Sequence, residues 1–318
     1  MLKALVTGGC GFIGSHLCQR LLEQGVTVTA LDNFSTGRAS NVEHLRAAAG
    51  FSVIEGDVLD DALMGRLIAG HDHIYHLAAP VGVQLIMQQP IHTVLENIRG
   101  IDIVLKYCDQ YRKRVLVAST SEVYGKKGSE QTLSEDDDAV YGPTSRHRWA
   151  YAYTKAVDEF LALAYFKERQ LPVVIVRLFN TVGPRQTGQY GMVVPRFIQS
   201  ALADEPIVVY GDGTQSRCFT HVTDAVSALC ALMAMPGTEG QVFNIGSHNE
   251  TTILALAQRV KAHCQSQSKI RFIPYEEAYG AYFEDMQRRT PDINKIKQWI
   301  DYQPRLSLDD IICDIRDA

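Results

Sequence analysis

Features that mark secreted, metal-binding and membrane-spanning proteins are largely missing from this sequence. Its seven cysteines are odd in number and scattered, and none forms a Cys-x-x-Cys pair. A disulfide framework or a zinc knuckle is therefore disfavoured, and reduced cytoplasmic thiols fit better. No stretch approaches the roughly 20 apolar residues of a membrane helix, and no charged leader precedes a long apolar run at the N-terminus. We therefore expect a cytoplasmic protein with no signal peptide, membrane segment or metal.

A strong excess of charge of one sign is also missing. The net charge of −5 gives no general reason to bind nucleic acid or an acidic membrane. Hydrophobic residues make up 46% and charged residues 21% of the chain, which is ordinary for a globular enzyme. Its 318 residues suffice for one large core or two closely joined domains.

The first 180 residues alternate between short β-branched runs and longer helical patterns. The runs predict strands at 2–7, 26–31, 51–55, 73–77, 114–119 and 173–177. Helical spacing predicts helices that include 14–24, 91–111 and 151–170, and in the last of these one apolar stripe is formed by Val157, Phe160, Leu161, Ala164 and Tyr165. This alternation predicts an α/β fold, a doubly wound parallel Rossmann sheet with helices on both faces.

The rhythm changes after residue 180. Residues 181–190 are rich in Gly, Pro and Gln and predict a loop, whereas 207–210 and 241–245 predict strands and 252–264 a helix. We therefore predict a Rossmann domain over 1–180, with strands returning from 206–247. A smaller C-terminal α/β cap over 181–318 is expected to close over a substrate.

A glycine triplet follows the first strand and opens the first helix. Gly8, Gly11 and Gly14 allow a tight turn and let a diphosphate approach the helix N-terminus, where free N–H groups carry a partial positive charge. Asp32 ends the second strand where a ribose-binding carboxylate belongs, which favours NAD over NADP. The alternative is a simple glycine-rich turn beside an exposed aspartate.

A second constellation follows the fifth strand. Tyr151 and Lys155 are four residues apart and share one helix face. A lysine ammonium beside a tyrosine lowers its pKa, so Tyr151 is a candidate general base toward a substrate hydroxyl. Thr120 or Ser121, at the carboxyl end of the strand where ligands bind, could hydrogen-bond the same hydroxyl. The alternative is a purely structural Tyr–Lys pair.

The predicted NAD contacts extend beyond these two constellations. They comprise the glycine turn, residues at or after the ends of strands two to five, one asparagine of the helix at 91–111, and the Tyr–Lys pair: Gly8, Gly11, Phe12, Ile13, Gly14, Asp32, Asn33, Asp57, Val58, Leu77, Ala78, Ala79, Asn97, Ser119, Tyr151 and Lys155.

Taken together, the motifs resemble the extended short-chain dehydrogenases/reductases, the NAD-dependent epimerase/dehydratase family that modifies nucleotide sugars. The resemblance rests on residues 7–14, the Tyr151-x-x-x-Lys155 pair, and segments 177–185 and 210–215, and it covers nearly the whole chain. It implies NAD as cofactor and a UDP-sugar as substrate. The implied substrate contacts are Asn180, Arg185, Val194, Tyr210, Gln215, Arg217, Phe283 and Arg289.

Within this family, Glu122 after Thr120-Ser121 resembles UDP-glucuronate decarboxylases. Segments 142–151, 217–220 and 284–293 are similar to the decarboxylase domain of the polymyxin-resistance enzyme and, more loosely, to UDP-xylose synthase. The resemblance implies oxidative decarboxylation of UDP-glucuronate through a 4-keto intermediate to a UDP-pentose, with Glu122 and Arg289 joining Tyr151, Lys155, Thr120 and Ser121 as catalytic residues. The structural alternatives are that Glu122 is an acid that caps a helix and that Arg289 is a surface arginine.

Two departures leave the sugar open. Residues 144–150 replace the strict UDP-xylose synthase run, and Phe283 stands where the polymyxin-resistance decarboxylase has a tyrosine. The alternatives are a UDP-sugar 4-epimerase acting on UDP-glucose or UDP-glucuronate, a nucleotide-sugar dehydratase, and a non-catalytic NAD(H) sensor. The resemblance also implies a homodimer, in which helices 91–111 and 151–170 pair with their copies in a four-helix bundle.

Overall fold

A computed structural model describes residues 1–80, 89–126, 132–188, 192–279 and 286–318. The strands are β1 (Lys3–Thr7), β2 (Thr27–Asp32), β3 (Phe51–Glu55), β4 (His73–His76), β5 (Arg114–Thr120), β6 (Val173–Leu178), β7 (Thr181–Val182), β8 (Ile207–Tyr210), β9 (Ser216–Cys218), β10 (Thr220–His221), β11 (Gln241–Ile245), β12 (Glu250–Thr252), β13 (Ile270–Ile273) and β14 (Arg288–Arg289).

The helices alternate with these strands. They are α1 (Phe12–Glu23), α2 (Asp61–Ala69), α3 (Pro90–Gln110), α4 (Ala150–Arg169), α5 (Val193–Leu202), α6 (Val222–Ala234), α7 (Ile253–His263), α8 (Tyr275–Tyr279), α9 (Asn294–Trp299) and α10 (Leu308–Arg316). Short 3₁₀ turns occur at Ala39–Leu45, Ser121–Tyr124 and His147–Trp149.

Seven parallel strands form one sheet in the order β3-β2-β1-β4-β5-β6-β11. Helices α1 and α6 cover one face, and α2, α3 and α4 cover the other. Because both faces are covered, the central strands are continuous apolar runs, as in Val173 to Val176, which are fully buried. The predicted doubly wound Rossmann fold is confirmed, and its six predicted strands begin and end within one residue of their predicted bounds.

A smaller unit packs beside the sheet. It contains the parallel pair β8–β13 and the three strands β12-β9-β14. Its core joins α5, α7 and α10 through residues such as Phe197, Leu256 and Ile311. The predicted strand at 207–210 forms here, so its expected return to the large sheet was wrong. The open edge of β6 is taken instead by Gln241–Ile245, in parallel register.

The apolar stripe predicted on α4 divides between two surroundings. Leu161 and Tyr165 pack against the core on the sheet side, and Ala164 is exposed. Val157 and Phe160 are exposed by 44% and 75%. Together with three exposed residues of α3 they form what we call the outer apolar face: Ile91, Leu95, Ile98, Val157 and Phe160.

Among the described residues, no helix is both long enough and apolar enough to cross a membrane. Within the same ranges, no three His, Cys, Asp or Glu side chains are grouped closely enough to hold a metal ion. All seven cysteines are free thiols.

Candidate active site

A cavity of about 520 Å³ lies at the carboxyl ends of the sheet strands and is also lined by the smaller unit. It gathers predicted residues from both halves of the chain: Gly8, Gly11, Phe12, Ile13, Gly14, Asp32, Asn33, Asp57, Val58, Leu77, Ala78, Ala79, Ser119, Thr120, Ser121, Glu122, Tyr151, Asn180, Arg185, Val194, Tyr210, Gln215, Arg217 and Arg289. Two others, Asn97 and Lys155, are buried outside this lining. Phe283 lies outside the described residues.

The glycine turn leaves room only for backbone. Gly8 has a φ of +69°, and a Cβ on Gly14 would lie 2.0 Å from the Gly8 carbonyl oxygen. Gly11 is the N-cap of α1, and no side chain of the described residues caps that helix. The N–H groups of its first turn are therefore left for a ligand, and Phe12 and Ile13 line the cavity. This cradle fits the diphosphate of a dinucleotide.

Two carboxylates stand at the next strand ends. Asp32 accepts hydrogen bonds from the Cys10 and Phe34 amides, each at 2.9 Å, and burial raises the pKa of its carboxyl group. The Asn33 side chain donates to Asp57 Oδ2 at 2.9 Å. A carboxylate offers about four acceptor positions, so Asp32 retains capacity for ribose hydroxyls.

The pair Tyr151 and Lys155 is buried at the start of α4. Lys155 Nζ lies 2.7 Å from Asp158 Oδ2, one turn along the helix and buried too. Burial raises the pKa of the Tyr151 phenol, and the charges of Glu122 and Asp158 raise it further. Asp158, which sequence reasoning missed, engages the ammonium group that was expected to lower this pKa, and the pKa is raised rather than lowered.

Glu122 and Arg289 form an ion pair across the cavity. Arg289 Nη1 donates to Glu122 Oε1 at 2.5 Å and to Ser121 Oγ at 3.3 Å. Both side chains are largely buried, and Arg289 Nε has no hydrogen-bond partner within the described ranges. Strand β14 places Arg289 beside Arg217 of β9. Because Arg289 and Glu122 are buried and paired with each other, neither a surface arginine nor a helix-capping acid describes them. A buried guanidinium with an unused donor suits an additional anion.

Behind the cavity, a buried acid holds the site together. Glu159 of α4 pairs with Arg177 through two side-chain nitrogens, at 3.0 and 2.7 Å, and also accepts a hydrogen bond from Ser119. Asn97 donates to Thr154 Oγ1 at 3.2 Å. The sequence offered only a weak signal for Glu159, namely an acid on the inward face of the predicted helix.

The far half of the cavity belongs to the smaller unit. Asn180 Nδ2 donates to the Cys218 carbonyl at 2.9 Å, and Gln215 Nε2 donates to the Tyr210 carbonyl at 2.9 Å. The Arg196 guanidinium lies 4.4 Å from the centre of the Tyr210 ring. Sequence reasoning missed Arg196, which stands two residues after the predicted Val194 and lines the same cavity.

Arg185 lies on the other side, against helix α1. Its Nη2 donates to Gln19 Oε1 at 2.7 Å and its Nη1 to Ser15 Oγ at 3.3 Å. Its predicted contact with UDP remains a prediction.

Comparisons with known proteins place this geometry among nucleotide-sugar enzymes. Residues 4–246 match the NAD dependent epimerase/dehydratase family. A Bacillus cytotoxicus protein named UDP-N-acetyl-alpha-D-glucosaminuronate decarboxylase is 42% identical, covering 96% of this chain and 94% of the relative. UDP-glucuronic acid decarboxylase 1 of Danio rerio is 38% identical over 97% of this chain and 70% of the relative.

Among solved structures, the UDP-glucuronic acid 4-epimerase of Bacillus cereus, in complex with UDP-glucuronic acid and NAD, is similar throughout. It superposes with a TM-score of 0.89 at 30% identity, covering 99% of this chain and 98% of the other.

Proposed function

Because this chain belongs to the NAD-dependent epimerase/dehydratase family, we propose that it oxidatively decarboxylates a UDP-hexuronate, with UDP-glucuronate as the first candidate. The observation that carries the proposal is the Glu122–Arg289 pair, which lines one cavity with Tyr151. Decarboxylation needs a cation for the substrate carboxylate and an acid for carbon, and this pair supplies both. Relatives at 42% and 38% identity are named as decarboxylases of UDP-uronates.

The first step requires a base at the sugar C4 hydroxyl. The glycine turn and Asp32 would hold NAD, which would supply the hydride acceptor for the hydrogen on C4. Tyr151 removes the hydroxyl proton, and Thr120 or Ser121 orients the hydroxyl by hydrogen bonding. The Lys155–Asp158 pair anchors the helix turn that carries Tyr151. The phenol must lose its proton before it can act, against the burial and the two negative charges that raise its pKa.

The second step follows from the new ketone. With C4 oxidised, the C5 carboxylate belongs to a β-keto acid, so loss of carbon dioxide leaves an enolate that positioned donors stabilise. Arg289 binds the substrate carboxylate in a charge-assisted hydrogen bond. That carboxylate competes with Glu122 for the guanidinium, and a Glu122 without its cation holds a proton more readily. Glu122 takes up a proton from water in the cavity and donates it to C5.

Two observations favour a second candidate substrate and an alternative reaction. The 42% identical relative is named for a 2-acetamido substrate, which makes UDP-N-acetylglucosaminuronate the second substrate candidate. The likeness to a UDP-glucuronic acid 4-epimerase favours epimerisation as the alternative reaction. An epimerase needs no acid at C5, however, and would leave the Glu122–Arg289 pair without a role.

We further propose a cytoplasmic homodimer. The outer apolar face lies on α3 and α4, which pack against each other. Five large apolar side chains at solvent are costly unless a partner covers them. A second copy placing the same face against it would bury both in a four-helix bundle. The free thiols accord with a reducing compartment.

The test is proton NMR of the enzyme with NAD and either UDP-glucuronate or UDP-N-acetylglucosaminuronate, with NADH absorbance read in parallel. We expect loss of the carboxylate and a new UDP-pentose from one of the two. NADH that accumulates indicates a released 4-keto product, whereas none indicates that the ketone is reduced again. A C4 epimer that retains its carboxylate would overturn the proposal. Tyr151→Phe is the inactive control.

A further inference from the structure

Arg185 is held by the cofactor half of the protein rather than by the sugar half. Its guanidinium contacts Ser15 and Gln19 on α1, at 3.3 and 2.7 Å, and His44 Nε2 at 3.2 Å. Helix α1 is the one whose first turn forms the diphosphate cradle. The backbone of Arg185 has a φ of +68°, a left-handed conformation that a non-glycine residue adopts only when its surroundings impose it.

A second contact ties the same loop to the same helix. His16 Nε2 lies 3.0 Å from the Pro184 carbonyl oxygen. Residues 184 and 185 are thus both fastened to α1, and the cavity lining runs on from Arg185 to Gln186 and Thr187. The loop at 184–187 therefore forms a wall of the cavity beside the helix turn where a diphosphate would lie.

The charge of Arg185 has no carboxylate to balance it within the described ranges, since its three partners are a hydroxyl, an amide and an imidazole. Burial lowers the pKa of its guanidinium, and burial also lowers the pKa of His16 to about 4. His16 is therefore neutral at physiological pH, and Arg185 is the cation at this point of the wall. A partly desolvated cation beside an anion cradle strengthens the binding of a diphosphate.

We propose that Arg185 is a positioning residue for the cofactor, which fastens the loop at 184–187 across α1 and sets how slowly NAD(H) leaves. The inference rests on the proposed NAD site. It assigns Arg185 to the cofactor, whereas the sequence predicted a contact with UDP. Retention of NADH decides whether the 4-keto sugar is reduced before release. Arg185 would thus influence which product the enzyme forms.

The test measures cofactor release without turnover. NADH is bound to wild type, Arg185→Gln and Gln19→Ala, and its dissociation rate is followed by stopped-flow fluorescence on chase with excess NAD. We expect Arg185→Gln to release NADH roughly tenfold faster, and Gln19→Ala to release it faster by a smaller factor. Arg20→Gln is the matched control, because it removes an exposed charge from the same helix, and it should match wild type.

Calorimetric titration with UDP distinguishes the two possible roles of Arg185, a contact to UDP and a positioning residue for the cofactor. We expect UDP affinity of Arg185→Gln to stay within about twofold of wild type. Unchanged NADH release would overturn the inference, as would a loss of UDP affinity with normal NADH release, which would restore the UDP contact. If wild type binds NADH but decarboxylates no UDP-uronate, the proposed reaction fails while this inference stands.

Discussion

At the scale of single residues, the site depends on side chains that are remote in sequence. Glu122 and Arg289 are 167 positions apart and meet at 2.5 Å. Sequence resemblance indicated both as catalytic residues of one site, but nothing in their local patterns predicts that they form an ion pair. The pairing arises because β14 adds to β9 and carries Arg289 to the end of β5.

The first prediction concerns this pair. Glu122→Gln removes the proposed acid for C5 while Tyr151 and the glycine turn remain. We expect formation of UDP-pentose to slow by roughly 10²- to 10⁴-fold, with NADH still formed in a single turnover. Rapid-quench product analysis beside NADH absorbance measures both steps. Glu250→Gln is the control, because it breaks the neighbouring Arg288–Glu250 pair outside the cavity lining, and equal slowing of both variants would contradict the assignment.

The second prediction concerns pH. Burial and the charges of Glu122 and Asp158 raise the pKa of Tyr151, so the phenol is largely protonated near neutrality and kcat/KM should rise with pH. Asp158→Asn removes one of those negative charges and should move the rising limb to lower pH. The pH profiles of both proteins test this, with circular dichroism confirming that the variant folds. If the rising limb of the kcat/KM profile stays at the same pH or moves to higher pH in Asp158→Asn, the electrostatic explanation is refuted.

At the scale of elements, the buried strands were predictable and the short ones were not. Strands such as β5 and β6 are apolar runs bounded by polar residues, and their pattern alone locates them. Strands β7, β9, β10, β12 and β14 have only two or three residues, which is too short for any periodicity. Their positions depend on tertiary pairing, and so does the placement of Arg217 and Arg289.

The glycine turn carries the third prediction. A Cβ on Gly14 would lie 2.0 Å from the Gly8 carbonyl oxygen, so Gly14→Ala must displace the turn from α1. We expect NADH affinity to fall by at least about tenfold and stability by roughly 1–3 kcal/mol. NADH fluorescence titration and thermal unfolding measure these effects. Gly70→Ala is the control, since a Cβ there would meet its nearest atom at 3.6 Å; wild-type affinity in Gly14→Ala would count against the cradle.

At the scale of the whole molecule, the fourth prediction concerns assembly. Phe160 is 75% exposed at the outer apolar face, and Phe160→Glu would place a charge in the proposed interface, where it is strongly disfavoured. We expect wild type to elute as a dimer and the variant as a monomer in size exclusion with light scattering. Phe272→Glu, at an exposed position of β13, should leave the dimer intact. A monomeric wild type would exclude the bundle.

The path of the chain between the two units restricts how such an enzyme can diversify. After β6 the chain enters the smaller unit, returns to the sheet with α6 and β11, leaves with β12, and returns once more when α9 packs on the core of the sheet. A fragment ending near residue 180 would lose the partner of β6 and the helix that covers α1. The smaller unit is therefore not one continuous stretch of sequence, and replacing it by a single crossover after residue 180 would also remove α6, β11 and α9 from the large sheet.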